Sequence, residues 1–427
     1  MSDPVPFPED PFGAGFDFSQ LDLSEMFRIM QSPGPVNWEI AKQLAVAIAN
    51  GEVPEKEIAS DDQEQLSDLV LAAKTLVANE TGIAASLTTP LKVLTRADWA
   101  TAQIDSLRPV IVALAGSVGK ALTPEALEGL IGENTAEELG LPEIPGMPAE
   151  SFSTIVPMLA PLLLGVQAGS MIGHLARHSL GIYDLPLPTE DSPTLVFVVG
   201  NINEFEEAWS LERSDIYFYM AIHELVHASV RSIAWVRRRL VALATDYVSA
   251  YEFDGSDLGS GLEGGIFADL DPSDPSSIQA LADHPEELLG ALRNDRQRLL
   301  LDEARVFHAV LEGYADTILE RTGRPLIVSF DRIHEAMARH RIERGEAERF
   351  IEGILGMGAG REDFERGSEF CRGVVERGGI ESLHRLWENA AMEPTANELV
   401  APGLWLARIE LDESDIDRSP LDEPEGP

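Results

Sequence analysis

Cysteine is almost absent, with Cys371 the only one in 427 residues. No internal disulfide can form, so the chain fits a reducing compartment, and the cytoplasm is the expected location. Basic side chains are also few: 32 Lys and Arg stand against 73 Asp and Glu, for a net charge of −41. Nucleic acid and anionic membrane surfaces repel such a chain, and neither is expected as a partner. The opening residues, Met1-Ser2-Asp3-Pro4, lack the basic and apolar stretches of a secretory signal. No glycine-rich nucleotide-binding loop is found. One uncharged run, Ile155 to Ala176, is long enough to cross a bilayer. It contains Pro157, Pro161, Gln167, Ser170 and His174, and no Lys/Arg clusters flank it. With Gly165, Gly169 and Gly173 four apart, it reads instead as a fully buried core helix in close contact with a neighbour.

Histidine is scarce too, at 9 residues, which makes the placement of two of them informative. The stretch Ala221-Ile222-His223-Glu224-Leu225-Val226-His227-Ala228 reads H-E-x-x-H. On an α-helix, residues four apart share a face, so His223 and His227 can offer two imidazoles to one ion. Glu224 sits about 100° round the helix, near enough to act on a water and turned away from direct ligation. Zinc hydrolysis needs this combination of two neutral nitrogens, a carboxylate base and an open coordination position. The flanks Tyr217, Tyr219, Met220, Ile222, Leu225 and Val226 are apolar. The helix is therefore expected to be buried, where two histidines and a glutamate need partners.

A metal centre needs a third protein ligand. Glu312 is the best candidate, on a segment of helical period from Asp295 to Glu320. Asp316 lies four residues on. In such a pair the glutamate can ligate, and the aspartate can accept the other N–H of a ligand histidine and fix its tautomer. His308, one turn before Glu312 on the same face, is the rival ligand or a supporting group. Spacing alone does not separate them.

Taken together, His223-Glu224-x-x-His227 and Glu312-x-x-x-Asp316 resemble the zincin metallopeptidases with a glutamate as third ligand. Several stretches more closely resemble an uncharacterised bacterial family of zincin-like hydrolases, one branch of which is associated with biosynthesis of a deazaflavin coenzyme. These are Pro33-Gly34-Pro35-Val36-Asn37-Trp38, Gly181-Ile182-Tyr183-Asp184-Leu185-Pro186-Leu187-Pro188, the H-E-x-x-H helix, Leu311-Glu312-Gly313-Tyr314, and Gly367-Ser368-Glu369-Phe370 through Leu386-Trp387-Glu388. The resemblance implies fold and metal chemistry, favours Glu312 over His308, and names no substrate.

The expected fold is mainly α, a zincin-like helical fold with a small β element before the metal helix. Residues 1–35 read as a disordered acidic arm rich in Phe, Gly and Pro, with Leu21 to Met30 a possible short helix. Residues 36–150 read as a helical N-terminal portion, 151–411 as the metal-binding domain forming one compact unit with it, and 412–427 as a disordered acidic tail. Helices are expected from Asn37 to Asn50, from Asp61 or Asp62 to Asn79, over 94–122 with an interruption near Pro109, and near 346–355, 362–377 and 379–389. Thr194 to Val199 is the best strand, ended by Asn201 and Asn203. It is either an edge that pairs with an extended peptide or a buried strand without a free edge. The metal helix is expected from Ser214, continuing past a break near Ala234-Trp235 through Arg237-Arg238-Arg239. That arginine cluster reads as an internal salt-bridge partner, with a substrate-carboxylate site as the alternative. A further helix, capped by Ser329 or Asp331, carries His334 and His340. The acidic turn Asp269 to Asp274 lacks calcium-loop spacing and reads as solvated.

The functional expectation is a zinc-dependent hydrolase, in first place a peptidase. Zn2+ would be held by His223, His227 and Glu312, with Glu224 as general base and a peptide or protein as substrate or partner. The alternative is a non-catalytic interaction or scaffold protein with structural zinc. Tyr217, Tyr314, His334 and His384 are candidates for oxyanion stabilisation.

Overall fold

The computed structural model describes residues 34–51, 55, 58–121, 152–184, 194–251, 294–342, 353–356 and 360–416. The expected N-terminal arm, the loop-rich stretch 123–150, the loop 254–285 with its acidic turn, and most of the helix near 346–355 lie outside the described residues.

The chain is mostly helical, with one two-stranded parallel sheet. In order the elements are α1 (Trp38–Asn50), α2 (Ser60–Thr81), α3 (Ala85–Thr88), β1 (Leu91–Val93), α4 (Arg96–Ala121), α5 (Phe152–Ala176), β2 (Leu195–Phe197) and α6 (Val199–Trp209). Then follow α7 (Arg213–Arg231), α8 (Ala234–Ser249), α9 (Asp295–Gly323), α10 (Phe330–Ile342), α11 (Arg361–His384), α12 (Ala396–Val400) and α13 (Pro402–Ile416). One cluster of buried apolar side chains runs from Val36 to Ile409.

Local chemistry explains the first helices. Asn37 caps α1 by accepting the Ile40 N–H at 3.2 Å, satisfying an otherwise orphaned donor. Its own N–H donates to Pro161 O at 2.8 Å. The glycine stripe of α5 lies on α1: a Cβ on Gly165 would come 2.4 Å from Asn37 O, and one on Gly169 2.5 Å from Ala41 O. The expected close packing is there, but α5 is not buried all round, since Gln167 is exposed. Among the described residues no helix is long and apolar enough to cross a membrane. Nor is α4 interrupted at Pro109, which stands inside a continuous helix. Buried Ile104, Leu107, Val110 and Ile111 on both sides of the proline outweigh the lost N–H bond.

The strand before α7 is shorter than its apolar run and fully buried. β2 pairs with β1 in the register Leu91↔Leu195, while Phe197 bridges Gly181 in antiparallel fashion and Val198 N donates to Leu180 O. With neighbours on both sides, β2 is the buried strand of the two alternatives. The strand ends earlier, at Phe197; Asn201 and Asn203 lie in α6, and the Asn201 amide donates to Ala176 O at the end of α5 and to Ser179 O just beyond it.

Helix α7 occupies the middle of the fold, packed against α2, α9 and α10. From Ile216 to Arg231 all its residues except Phe218 are buried. The break after it falls at Ser232-Ile233, where Arg237 Nη1 donates to Arg231 O and Ser232 O, satisfying terminal carbonyls. Arg239 forks onto Glu393 and also reaches Glu303. Arg239 thus makes the internal ion pairs expected of the cluster, whereas Arg237 bonds backbone carbonyls and Arg238 is exposed. α9 is opened by a capping box of Asn294 and Gln297. It is held against α11 by mutual glycines: a Cβ on Gly313 would fall 2.3 Å from Gly367 O. α11 kinks at Gly379, whose φ of 79° suits glycine. The last helix runs on to Ile416, past the expected start of the tail.

Candidate metal centre

α7 and α9 bring three side chains together. The rings of His223 and His227, one turn apart, have centroids 4.6 Å from each other. Glu312 arrives from α9 with Oε1 3.7 Å from His227 Nε2. One ligand atom from each of the three lies within 4.8 Å of the others, and all three residues are buried. Donors about 2.0–2.2 Å from a tetrahedral ion are roughly 3.3–3.6 Å apart, so a small inward shift of these side chains would let the group hold one cation. Neither ring nitrogen of His227 has a hydrogen-bond partner among the described residues. Such sealed polar atoms cost about 1–3 kcal/mol each unless something binds them. Burial first, then the nearby His223, Arg231 and Arg341, push His227 well below the usual imidazole range. It is therefore neutral at pH 7, the form that can ligate. His308, one turn before Glu312, is buried on α9 but is not part of this group.

Asp316 does not support a histidine. Its hydrogen bonds among the described residues go to Arg341 of α10, whose Nη2 donates to Oδ1 at 2.9 Å and Nη1 to Oδ2 at 3.4 Å. The same Nη1 donates to Glu312 Oε2 at 3.2 Å. The physical reason is charge. A buried carboxylate gains more from a guanidinium fork, which brings a compensating charge, than from a neutral imidazole N–H. Burial pushes the Asp316 carboxyl up, but Arg341 outweighs it and holds the group below the ordinary carboxylate range. For Glu312 burial wins over Arg341, and its carboxyl is pushed up.

Glu224 is held from the opposite side by a short segment far upstream. Its Oε2 accepts the backbone N–H groups of Ile182 at 3.1 Å and Tyr183 at 3.3 Å. Only glycine fits at 181, since a Cβ there would lie 2.5 Å from Glu224 Cδ. The carbonyl of Gly181 accepts Trp99 Nε1 at 3.0 Å, and Asp184 Oδ2 accepts Leu180 N and meets His340 Nε2, both at 3.1 Å. Tyr183 stacks on the His227 ring at 6.0 Å, and the Arg231 guanidinium lies over Tyr183 at 4.8 Å. The other oxygen of Glu224, Oε1, is 3.5 Å from His223 Nδ1. Burial pushes Glu224 up, with His223 opposing; burial also works against a charged His223, but Glu224 outweighs it there.

The four oxyanion candidates are otherwise engaged. Tyr217 donates to Asn203, Tyr314 pairs with His384 Nδ1, and His334 Nδ1 pairs with Tyr219. Three residues of the site have no role that the sequence alone assigns. Arg231 carries a signal, being four residues after His227 on the same face. Tyr183 lies in the stretch Gly181 to Pro188 that carries the family resemblance. Arg341 gives none, because a basic residue in the last turn of a helix reads as a complement to the helix dipole.

None of the curated proteins matches the chain. Among solved structures, the crystal structure of a candidate hydrolase with a novel fold from Chloroflexus aurantiacus is similar, with TM-score 0.55 and 22% identity. The similarity covers 88% of this chain and 99% of that one, and it shows a shared fold. Residues 36–406, most of the chain and all of the site, match the zincin-like metallopeptidases, and the protein belongs to that family.

Proposed function

We propose that the protein is a zinc-dependent peptidase in which His223, His227 and Glu312 hold the ion and Glu224 is the general base. The observation that carries this reading is the buried His–His–Glu group, in which neither nitrogen of His227 is hydrogen-bonded among the described residues. Bound there, zinc supplies a Lewis acid that polarises a carbonyl and brings the pKa of water to about 7. The protein's own contribution is orientation. The N–H groups of Ile182 and Tyr183 fix Oε2 of Glu224, leaving Oε1 to take the proton from the attacking water and return it to the leaving amine. Tyr183, stacked on His227, sets the plane of that ring, and burial keeps the imidazole neutral. The substrate is not held by adding a strand to β2, whose two sides are taken. The association with a deazaflavin coenzyme rests on sequence resemblance and enters no step.

One observation favours the second reading, a scaffold with structural zinc: Glu224 and His227 are completely buried. Glu224→Gln separates the two. The amide keeps shape and hydrogen bonding but cannot accept the proton. Metal and fold should be retained, while cleavage in a peptide-library assay falls by about 10²- to 10⁴-fold. Complementation of a deletion strain should be impaired as well. No cleavage by the native protein, together with full complementation by Glu224→Gln, establishes the scaffold instead.

A further inference from the structure

We infer that Arg341 is a positioning residue that limits Glu312 to one ligand oxygen and keeps Asp316 off the metal, so that a coordination position stays open. The inference rests on the metal-centre reading above. α9 presents two carboxylates one turn apart next to two histidines. Without Arg341, Glu312 could bind through both oxygens, and Asp316, one turn further along α9, could be drawn in as a fourth protein ligand. A zinc site with four protein ligands is the structural kind; catalysis needs three and a vacancy.

Arg341 removes the surplus donors. Its Nη1 holds Glu312 Oε2 at 3.2 Å, and Oε1 is the oxygen left facing His227 Nε2 at 3.7 Å. Both oxygens of Asp316 are engaged by the same guanidinium, at 2.9 and 3.4 Å. The planar fork can serve two carboxylates at once, which a lysine ammonium does less well. Arginine cannot lose its proton in a protein, so the clamp does not titrate away. The clamp is also rigidly mounted. Arg341 is buried, and its neighbour His340 meets Asp184 in the segment that holds Glu224. The last turn of α10 thus reaches both the third ligand and the base.

Cobalt(II) is the probe, because its visible absorption weakens as coordination rises from four ligands to five or six. The comparison is between the native chain, Arg341→Met, and the charge-balanced double variant Arg341→Met/Asp316→Asn. The double variant removes one positive and one negative charge, so it folds where the single change leaves the buried Glu312 and the half-buried Asp316 carboxylates uncompensated. The native protein should take up one cobalt per chain with strong four-coordinate absorption. Both variants should still bind cobalt, with absorption per bound ion reduced severalfold as Glu312 turns bidentate. If Arg341 only balances charge, the double variant will show the native spectrum, and that result overturns the inference alone. A native chain that binds no cobalt overturns the metal reading and the inference together.

Discussion

A single methyl group at Gly181 tests how firmly Glu224 is held. An alanine Cβ there would sit 2.5 Å from Glu224 Cδ and 2.6 and 2.8 Å from its two oxygens. Non-bonded carbon atoms prefer about 3.5–4.0 Å, so roughly 1 Å has to be found. The backbone at 181 has little room to retreat, because its carbonyl accepts Trp99 Nε1 and the residue bridges Phe197. Glu224 must therefore yield and lose one or both of the N–H groups of Ile182 and Tyr183. Water does not replace them at a side chain with 0% exposure. Hydrogen bonds to a charged group contribute about 1.5–3 kcal/mol each, so Gly181→Ala should lose about 2–5 kcal/mol of stability. Urea unfolding at fixed, saturating zinc measures this. Zinc stoichiometry should stay native, because His223, His227 and Glu312 are not what the methyl meets. A loss under about 0.5 kcal/mol, the ordinary range of surface substitutions, would show that the segment does not hold Glu224.

Two further outcomes follow from packing and charge. Gly367→Ala places a Cβ 1.9 Å from Ala309 O and must push α11 off α9. Overpacking typically costs about 1–3 kcal/mol, and this backbone-on-backbone case belongs at the top of that range, measured by denaturant unfolding. Zinc affinity should fall as well, since α9 carries Glu312. At Glu398, burial pushes the carboxyl up, but Arg408 and the Thr395 cap outweigh it and hold its folded pKa down. A depressed carboxylate stabilises the fold fully above its unfolded pKa of about 4.3 and loses that contribution as pH falls through the folded value. Arg408→Met should therefore cost up to about 1 kcal/mol at pH 7, a difference that shrinks as the pH drops below 4. A gap that widens in acid would contradict the sign.

Much of the architecture could be read from residue spacing. Asn37 announced α1, the apolar period on both sides of His223 announced a buried α7, and three glycines four apart announced the α5 contact. Those signals are local, or repeat along one helix face. Local spacing misleads where tertiary contacts override it. Pro109 signals an interruption in a helix that buried side chains keep continuous. Val199 to Trp209 gives no clear helical signal, because Asn201 is satisfied by carbonyls at the end of α5 rather than by its own neighbours. The three-residue β1 gives none either, because its partner is about a hundred residues away. At the site, the two histidines and Glu312 were visible as a pattern, whereas Arg341 was not. Its role is set by which helix end packs beside α9, and no spacing rule carries that information.

The proposed function requires this buried group to bind one divalent metal ion through His223, His227 and Glu312. Elemental analysis after dialysis against metal-free buffer tests it most directly, on the native protein and on Glu312→Ala and His308→Ala. Close to one zinc per chain in the native protein, lost in Glu312→Ala and kept in His308→Ala, is the expected result. A native stoichiometry near zero, or zinc kept in Glu312→Ala and lost in His308→Ala, would contradict the assignment.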